Sequence, residues 1–285
     1  MNNLSDIKRR ISSVKQTRQI TGAMETISLA KMRKAVELYE RGRLYTEAVK
    51  NLMREVSCQC ANGEYEYFSR CGRGMPLYIV IASDKGMCGS FNHELFKLAD
   101  SRISELDCAV MPIGLTALDR YGKRDNARVE FASCGAPEYA NAQTISRAVI
   151  EGIGVKYSSV YIVYSKMTSR SVWSAHIEQL LPVELTDCDE GCKTTHYEYE
   201  PNERTVLEKL VPLYVGCVIN DALASSAAAE HSARRAAMSA STKSADEMIS
   251  SLSIEYNRAR QSAVTEQITE MIGSVSALGK SGGSK

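Results

Sequence analysis

The segment SDKGMCGSFN, Ser83 to Asn92, follows an apolar run and precedes a helical pattern. Loops in that position can hold phosphate groups on backbone N–H donors at a helix N-terminus. Gly86 and Gly89 do not complete G-x-G-x-x-G, and Ser90-Phe91 stands where a P-loop carries Lys-Ser/Thr. The competing reading is a tight strand-to-helix turn with a polar cap. Cys188, Cys192 and His196 recur at intervals of four in a polar stretch, a spacing that could serve a metal or a thiol switch. A structural zinc site takes four ligands, usually in C-x₂₋₄-C pairs, and no second pair stands at a suitable distance. His93, His176 and His231 lie apart from any Ser, Cys or Asp pattern that nucleophilic catalysis would use. Nothing in the chain reads as catalytic, as a cofactor site or as a complete metal site.

The charges of the N-terminal segment are more informative. Up to Lys34, the cations Lys8, Arg9, Arg10, Lys15, Arg18, Lys31, Arg33 and Lys34 face only two anions, Asp6 and Glu25. Nucleic-acid binding would need aromatic or groove-reading residues among them, and no aromatic precedes Tyr39. Two readings remain, a solvated coiled-coil face and a partner with an acidic surface. The whole chain of 285 residues carries a net charge of only +1, so it offers no general attraction to polyanions.

Long helices must position these charges. From Leu4 to Ser57 there is no Pro, and the only glycines are Gly22 and Gly42. Leu4, Ile7, Ile11 and Val14 follow the 3,4,3 spacing of a coiled-coil seam. Gly42 is the expected weak point. From about Arg204 helical signals return, and Val264, Ile268, Met271, Val275 and Leu278 form a second 4,3,4,3 seam. The stretch TGAMETISLAKMRK, Thr21 to Lys34, has good helix formers, yet its apolar residues keep to no single face.

Between the helices, strand-like runs PLYIVIASD, CAVMPIG, ARVEFAS, SSVYIVYSKM and VWSAHIEQLLPV flank or follow three helical segments. Such alternation predicts a mostly parallel sheet. The expected organisation is residues 1–60 as a coiled-coil helix, 61–75 as a linker, 76–203 as a Rossmann-like α/β domain, and 204–285 as the returning helix. The fold class is therefore α/β with an antiparallel two-helix coiled coil built from the two ends of the chain. No run approaches the ~18 apolar residues of a membrane span, and no secretory signal opens the chain. The nine cysteines then read as reduced thiols.

The motifs IKRRISSVKQTRQITGAMETISLAKMRKA, SDKGMCGSFN and YNRARQSAVTEQITEMI, in that order, resemble the gamma subunit of F-type ATP synthases. The resemblance covers essentially the whole chain. It implies a non-catalytic central rotor shaft, without cofactor, inside a hexameric ring of alpha and beta subunits. The α/β domain would join the epsilon subunit and the c-ring, with no nucleic acid bound and no direct insertion into the membrane. Rotation driven by ion flow would cycle the catalytic beta subunits during ATP synthesis and hydrolysis. The place implied is the cytoplasmic face of the cell membrane, and the lack of a transit peptide or long insertion suggests a bacterial type. On the same grounds Met24, Lys31 and Arg33 would meet acidic loops of beta, while Arg260, Gln261 and Thr265 would form a hydrogen-bonding catch. The Ala227 to Ala229 run and the Met side chains would give close, forgiving packing against the ring. Val264-Thr265 is followed by Glu266-Gln267, which displaces the family's usual carboxylate by one position, about 100° around a helix. Cys188 and Cys192 fall where chloroplast relatives carry a redox-regulating insertion, which makes them a candidate thiol pair.

Overall fold

The Pro-free N-terminal segment forms one unbroken helix, α1 (Leu4–Gln59). It runs through Gly42, where an added Cβ would meet nothing. The ~1 kcal/mol that glycine costs a helix interior is outweighed by packing on either side, so the expected break does not occur. The computed structural model describes residues 4–59, 74–103, 108–122, 127–129, 139–169, 172–183 and 198–281. The remaining elements are β1 (Met75–Ile81), α2 (Phe91–Ile103), β2 (Cys108–Ile113), α3 (Leu115–Tyr121), β3 (Ala127–Val129), α4 (Tyr139–Gly152), β4 (Tyr157–Ser169), β5 (Val172–Leu181) and α5 (Glu203–Ser281). The chain divides into two units, Met1–Thr26 with Ala237–Lys285, and Ile27–Ala236.

In the Ile27–Ala236 unit the strands lie in the order β3-β2-β1-β4-β5. The first four are mutually parallel and β5 runs antiparallel to β4 at one edge. Strands that are buried on both faces read as continuous apolar runs, and β2 is buried at every position. Alternation sends Leu77, Ile79 and Ile81 into one core and Tyr78 and Val80 into the other. The first core is closed by α4, the end of α1 (Val49, Met53, Val56) and the start of α5 (Leu207 to Leu223). The second is closed by α2 and α3 through Leu95, Phe96, Ala99, Ala117 and Tyr121.

This burial explains a compositional feature of α5. Against the expectation that no run approaches a membrane span, it includes one stretch long and apolar enough by composition to cross a membrane, and 67% of that stretch is buried inside the fold. The sheet takes up the apolar surface.

β4 runs on past the C-terminal end of β1, where the last partners are Val80 and Val163. The backbone N–H groups beyond that point would be left open. Two serines of α5 close them: Ser165 N–H donates to Ser226 Oγ at 3.1 Å, and Met167 N–H to Ser225 Oγ at 2.9 Å. Ser225 Oγ in turn donates to Ser165 O at 3.2 Å. A buried unpaired donor is costly, and these hydroxyls remove that cost while fixing the register of helix against strand.

In the other unit, α1 and α5 are antiparallel. Thr242 Oγ1 donates to Thr21 Oγ1 at 2.8 Å, and Arg18 Nε to Asp246 Oδ1 at 2.6 Å. Three residues back along α1 thus match four residues onward along α5. The seam positions Ile7, Ile11 and Val14 are buried or half-buried as their spacing predicts.

The second seam behaves differently. On this register Leu4 lies across from a position near Arg260, so Val264, Ile268 and Met271 fall past the first described residue of α1. They are exposed, Met271 by 62%. A periodic pattern marks a face, and the described part of α1 ends before it. The side chains of Val275 and Leu278 lie outside the described residues.

Candidate functional site

The surface expected to meet a partner is built by α1 and α5, and the structure shows which positions of α1 turn inward and which outward. On α1 the inward positions follow a heptad through Thr21, Ser28, Met32 and Ala35, all buried. Ile20 and Ile27 stand one position off that seam and are 61% and 56% exposed. At Thr21 and Ser28 polar side chains lie inside, while the aliphatic Ile20 and Ile27 beside them face out. This is the physical origin of the irregular pattern in TGAMETISLAKMRK.

Within the Ile27–Ala236 unit, Met32, Ala35 and Val36 pack on Ala228 of α5 and Met167 of β4. Ala229 and Ala233 pack on Cys88 and Phe91. Ala228 and Ala229 are therefore fully buried inside the chain. The expectation that the alanine run faces a surrounding ring is corrected: the small side chains let the β1–α2 loop and α1 approach α5 closely.

Lys31 and Arg33 are exposed. Lys31 lies on the rim of a cleft of about 240 Å³ at the C-terminal ends of β1 and β2, together with Asp84, Lys85, Glu230, His231 and Arg234. Arg234 pairs with Glu230 at 2.7 Å. Burial raises the Glu230 carboxyl and Arg234 opposes that rise. Burial, with Arg234 and Lys31 beside it, pushes His231 down to about 4. The imidazole is neutral at physiological pH and adds no charge next to the arginine.

The loop SDKGMCGSFN is the floor of this cleft, and the side chains of Ser83, Asp84, Ser90 and Asn92 are engaged within the chain. Asn92 Nδ2 donates to Ser83 Oγ at 2.7 Å, and Ser83 N–H donates to Asn92 Oδ1 at 3.2 Å. Ser83 Oγ donates to Lys85 O at 2.9 Å, and Leu115 N–H donates to Asp84 Oδ1 at 3.1 Å. At the start of α2, Ser90 Oγ donates to Glu94 Oε1 at 2.6 Å. A carboxylate of the chain itself thus occupies the helix N-terminus that an anion would seek. Of the two sequence readings, the polar-capped turn is the one this geometry builds. Gly114 serves the same close packing: its φ is +94°, and a Cβ there would sit 2.3 Å from Ala82 O.

In the other unit Met24 is half-buried, while Arg260, Gln261 and Thr265 are exposed on α5. Thr265 Oγ1 donates to Gln261 O at 2.9 Å, one turn back. The Thr21–Thr242 register puts Met24 across from a position near Ala240, about 30 Å along the axis from Arg260. The structure does not bring these two groups together. Cys188, Cys192 and His196 lie outside the described residues.

One polar cluster had no counterpart in the sequence reading. Lys50 Nζ of α1 pairs with Glu178 Oε1 of β5 at 2.6 Å, and Tyr164 OH of β4 donates to Glu178 Oε2 at 3.1 Å. Burial alone would raise the Glu178 carboxyl, but Lys50 and Tyr164 together hold it below the ordinary value. Burial and Lys166 lower His176, which packs edge-on against Tyr164 at 5.7 Å. Asp221 of α5 lies near the same charges. Its Oδ1 is buried without a hydrogen-bond partner, and burial pushes its carboxyl up to about 6. A lone carboxylate within the uncharged run VGCVINDALASSAAA was the available signal.

A family model described as ATP synthase matches residues 3–278. The ATP synthase gamma chain of Fusobacterium nucleatum subsp. nucleatum is 35% identical over 286 residues, covering 98% of this chain and 100% of the relative. The chain belongs to the ATP synthase gamma-chain family. The sodium ion specific ATP synthase gamma chain of Acetobacterium woodii is 33% identical, with 97% of this chain and 99% of the relative covered. Among solved structures, a chain of the Euglena gracilis mitochondrial ATP synthase in rotational state 3 superposes with a TM-score of 0.75 at 17% identity, covering 99% of this chain and 96% of that one. A chain of the Tetrahymena thermophila central stalk and c-ring gives 0.60 at 20% identity, covering 77% and 98%.

Gamma-chain membership gives the role, the rotor-shaft subunit of an F-type ATP synthase complex. It also gives the outward-facing isoleucines a context. A gamma chain works inside an assembly, so its outer surface need not be designed for water.

Proposed function

We propose that this chain couples ion-driven rotation of a c-ring to the conformational cycle of catalytic beta subunits, and carries no catalytic residue itself. The supporting observation is the inverted patterning of α1, with Thr21 and Ser28 inside and Ile20 and Ile27 outside. An aliphatic outer face offers a surrounding ring only non-directional contacts, which release as readily as they form. Deep hydrogen-bonded contacts would instead trap the shaft at each dwell. The exposed cations Lys31 and Arg33 would add modest electrostatic catches against acidic loops of beta, each worth ~1 kcal/mol or less when solvated. Met24 would belong to the same contact, and Arg260, Gln261 and Thr265 to a second one on α5. The partners are the alpha–beta ring, the epsilon subunit and the c-ring. The site of action is the cytoplasmic face of the cell membrane, where the chain is held peripherally.

Co-purification tests the assignment. Tagged full-length chain should bring down alpha and beta subunits in a complex that hydrolyses ATP, while the chain alone binds no nucleotide tightly. Recovery without alpha and beta, or tight nucleotide binding by the chain alone, overturns it. Cys188 and Cys192 would act as a thiol switch on the same complex. An ATPase rate that is identical under reducing and oxidising conditions removes that part.

A further inference from the structure

Within the Ile27–Ala236 unit, most of the contact between α5 and the β1–α2 loop is smooth. Ala229 and Ala233 meet Cys88 and Phe91, and small apolar surfaces resist separation far better than sliding, because dispersion has little directional preference. One side chain breaks that smoothness. Arg234 is only 8% exposed. Its Nη2 donates to Lys85 O at 2.8 Å and Gly86 O at 3.3 Å, and Nε donates to Gly86 O at 3.4 Å. Nη1 holds Glu230 Oε1 at 2.7 Å and lies 3.3 Å from His231 Nδ1.

We propose that Arg234 is a positioning residue that, beyond the Ser225 and Ser226 bonds to β4, locks α5 to the β1–α2 loop against rotation, so that load on the domain reaches the helix without slip. This rests on the rotor-shaft reading above. The grip suits that task in three respects. Its acceptors are backbone carbonyls, so the hold does not depend on a side-chain rotamer at the far end. The loop is itself knitted to neighbouring elements: Asn92 of α2 bonds Ser83, and Asp84 caps the first N–H of α3. It is also the direct continuation of β1, the central strand of the sheet. Force on the guanidinium therefore passes straight into the most deeply paired strand. Arginine is required because its planar fork donates on two edges at once, to the loop on one and to Glu230 on the other. An alternative role as an anion ligand fails on the same geometry, since all three guanidinium nitrogens are already engaged by the chain.

The test uses the complete complex in sealed vesicles, with wild-type chain, Arg234→Gln, Arg234→Lys and Glu230→Gln. The lysine variant keeps a charge beside Glu230 and loses the two-edged hold, so it reports on the grip even if the glutamine variant fails to assemble. Hydrolysis without an opposing gradient should stay within about twofold of wild type. Ions pumped per ATP against a steep gradient should fall at least threefold in Arg234→Gln, and less in Arg234→Lys and Glu230→Gln. The angular spread of a bead fixed to the α/β domain, with the ring arrested, should widen in the same order. A merely structural role would lower hydrolysis and assembly together and leave the pumping ratio unchanged. Assembled Arg234→Lys and Glu230→Gln complexes with wild-type pumping ratio and bead spread overturn the proposal. If the wild-type chain itself does not support coupled pumping, the rotor-shaft reading fails instead.

Discussion

Replacing Asp221 with Asn should stabilise the full-length chain, by an amount that depends on pH. Asp221 faces Glu47 and Lys50 of α1, Lys166 of β4 and Glu178 of β5, and its Oδ1 has no partner. Burial pushes its carboxyl up to about 6 from an ordinary 3.8. The folded state keeps a proton that the unfolded chain has lost between those values, so stability falls as pH rises through that window and stays low above it. At 1.36 kcal/mol per tenfold the full effect is about 3 kcal/mol. The residue is half-buried, and allowing for solvent screening leaves about 1.5 kcal/mol. Asn carries no charge to bury and escapes that loss. Urea unfolding of both proteins should show the variant more stable by about 1.5 kcal/mol at pH 8 and by about half that at pH 5. The gain should vanish below pH 4. A difference that is independent of pH, or a variant less stable than wild type at pH 8, would refute the assignment of a buried, poorly solvated carboxylate.

Two further outcomes are expected. Lys31→Glu with Arg33→Glu should lower ATP-driven pumping by the assembled complex while leaving the melting temperature of the chain within about 2 °C, because both side chains are exposed; loss of folding with coupling intact in the surviving protein would sink the catch. Ser225→Ala with Ser226→Ala strips both caps from the β4 edge, and should cost about 2 to 5 kcal/mol by calorimetry, since two buried N–H donors lose their acceptors.

The sheet was legible because its residues obey local rules. Runs such as LYIVI, short, rich in β-branched residues and bounded by turn signals, read as strands buried on both faces, and the Gly-containing turn after β1 and the helices between strands follow from the same patterns. The coiled coil was half legible. Ile7, Ile11 and Val14 lie on the seam their spacing predicts, but Thr21 and Ser28 occupy seam positions while Ile20 and Ile27 do not. Hydrophobic periodicity assumes that water surrounds the element, and the outward aliphatic face of α1 does not follow that assumption. The second seam behaves differently for another reason, since Val264, Ile268 and Met271 have the right spacing but lie past the first described residue of α1. The Lys50–Glu178–Asp221 cluster was beyond reach because its members come from three elements far apart in sequence. Arg234 was hidden in the same way, its acceptors being backbone atoms that carry no sequence signature.

The serine caps on β4 bear on how the chain is made. Ser165 and Met167 are bonded by residues about sixty positions further on. While the ribosome is still synthesising that stretch, the nascent sheet has an open edge that could pair with another chain. The domain therefore depends for its own solubility on a helix that is translated after its strands. A product truncated before Ser225 should be an aggregating sheet, and a cell that assembles this motor has reason to keep the growing chain apart from its copies until α5 arrives.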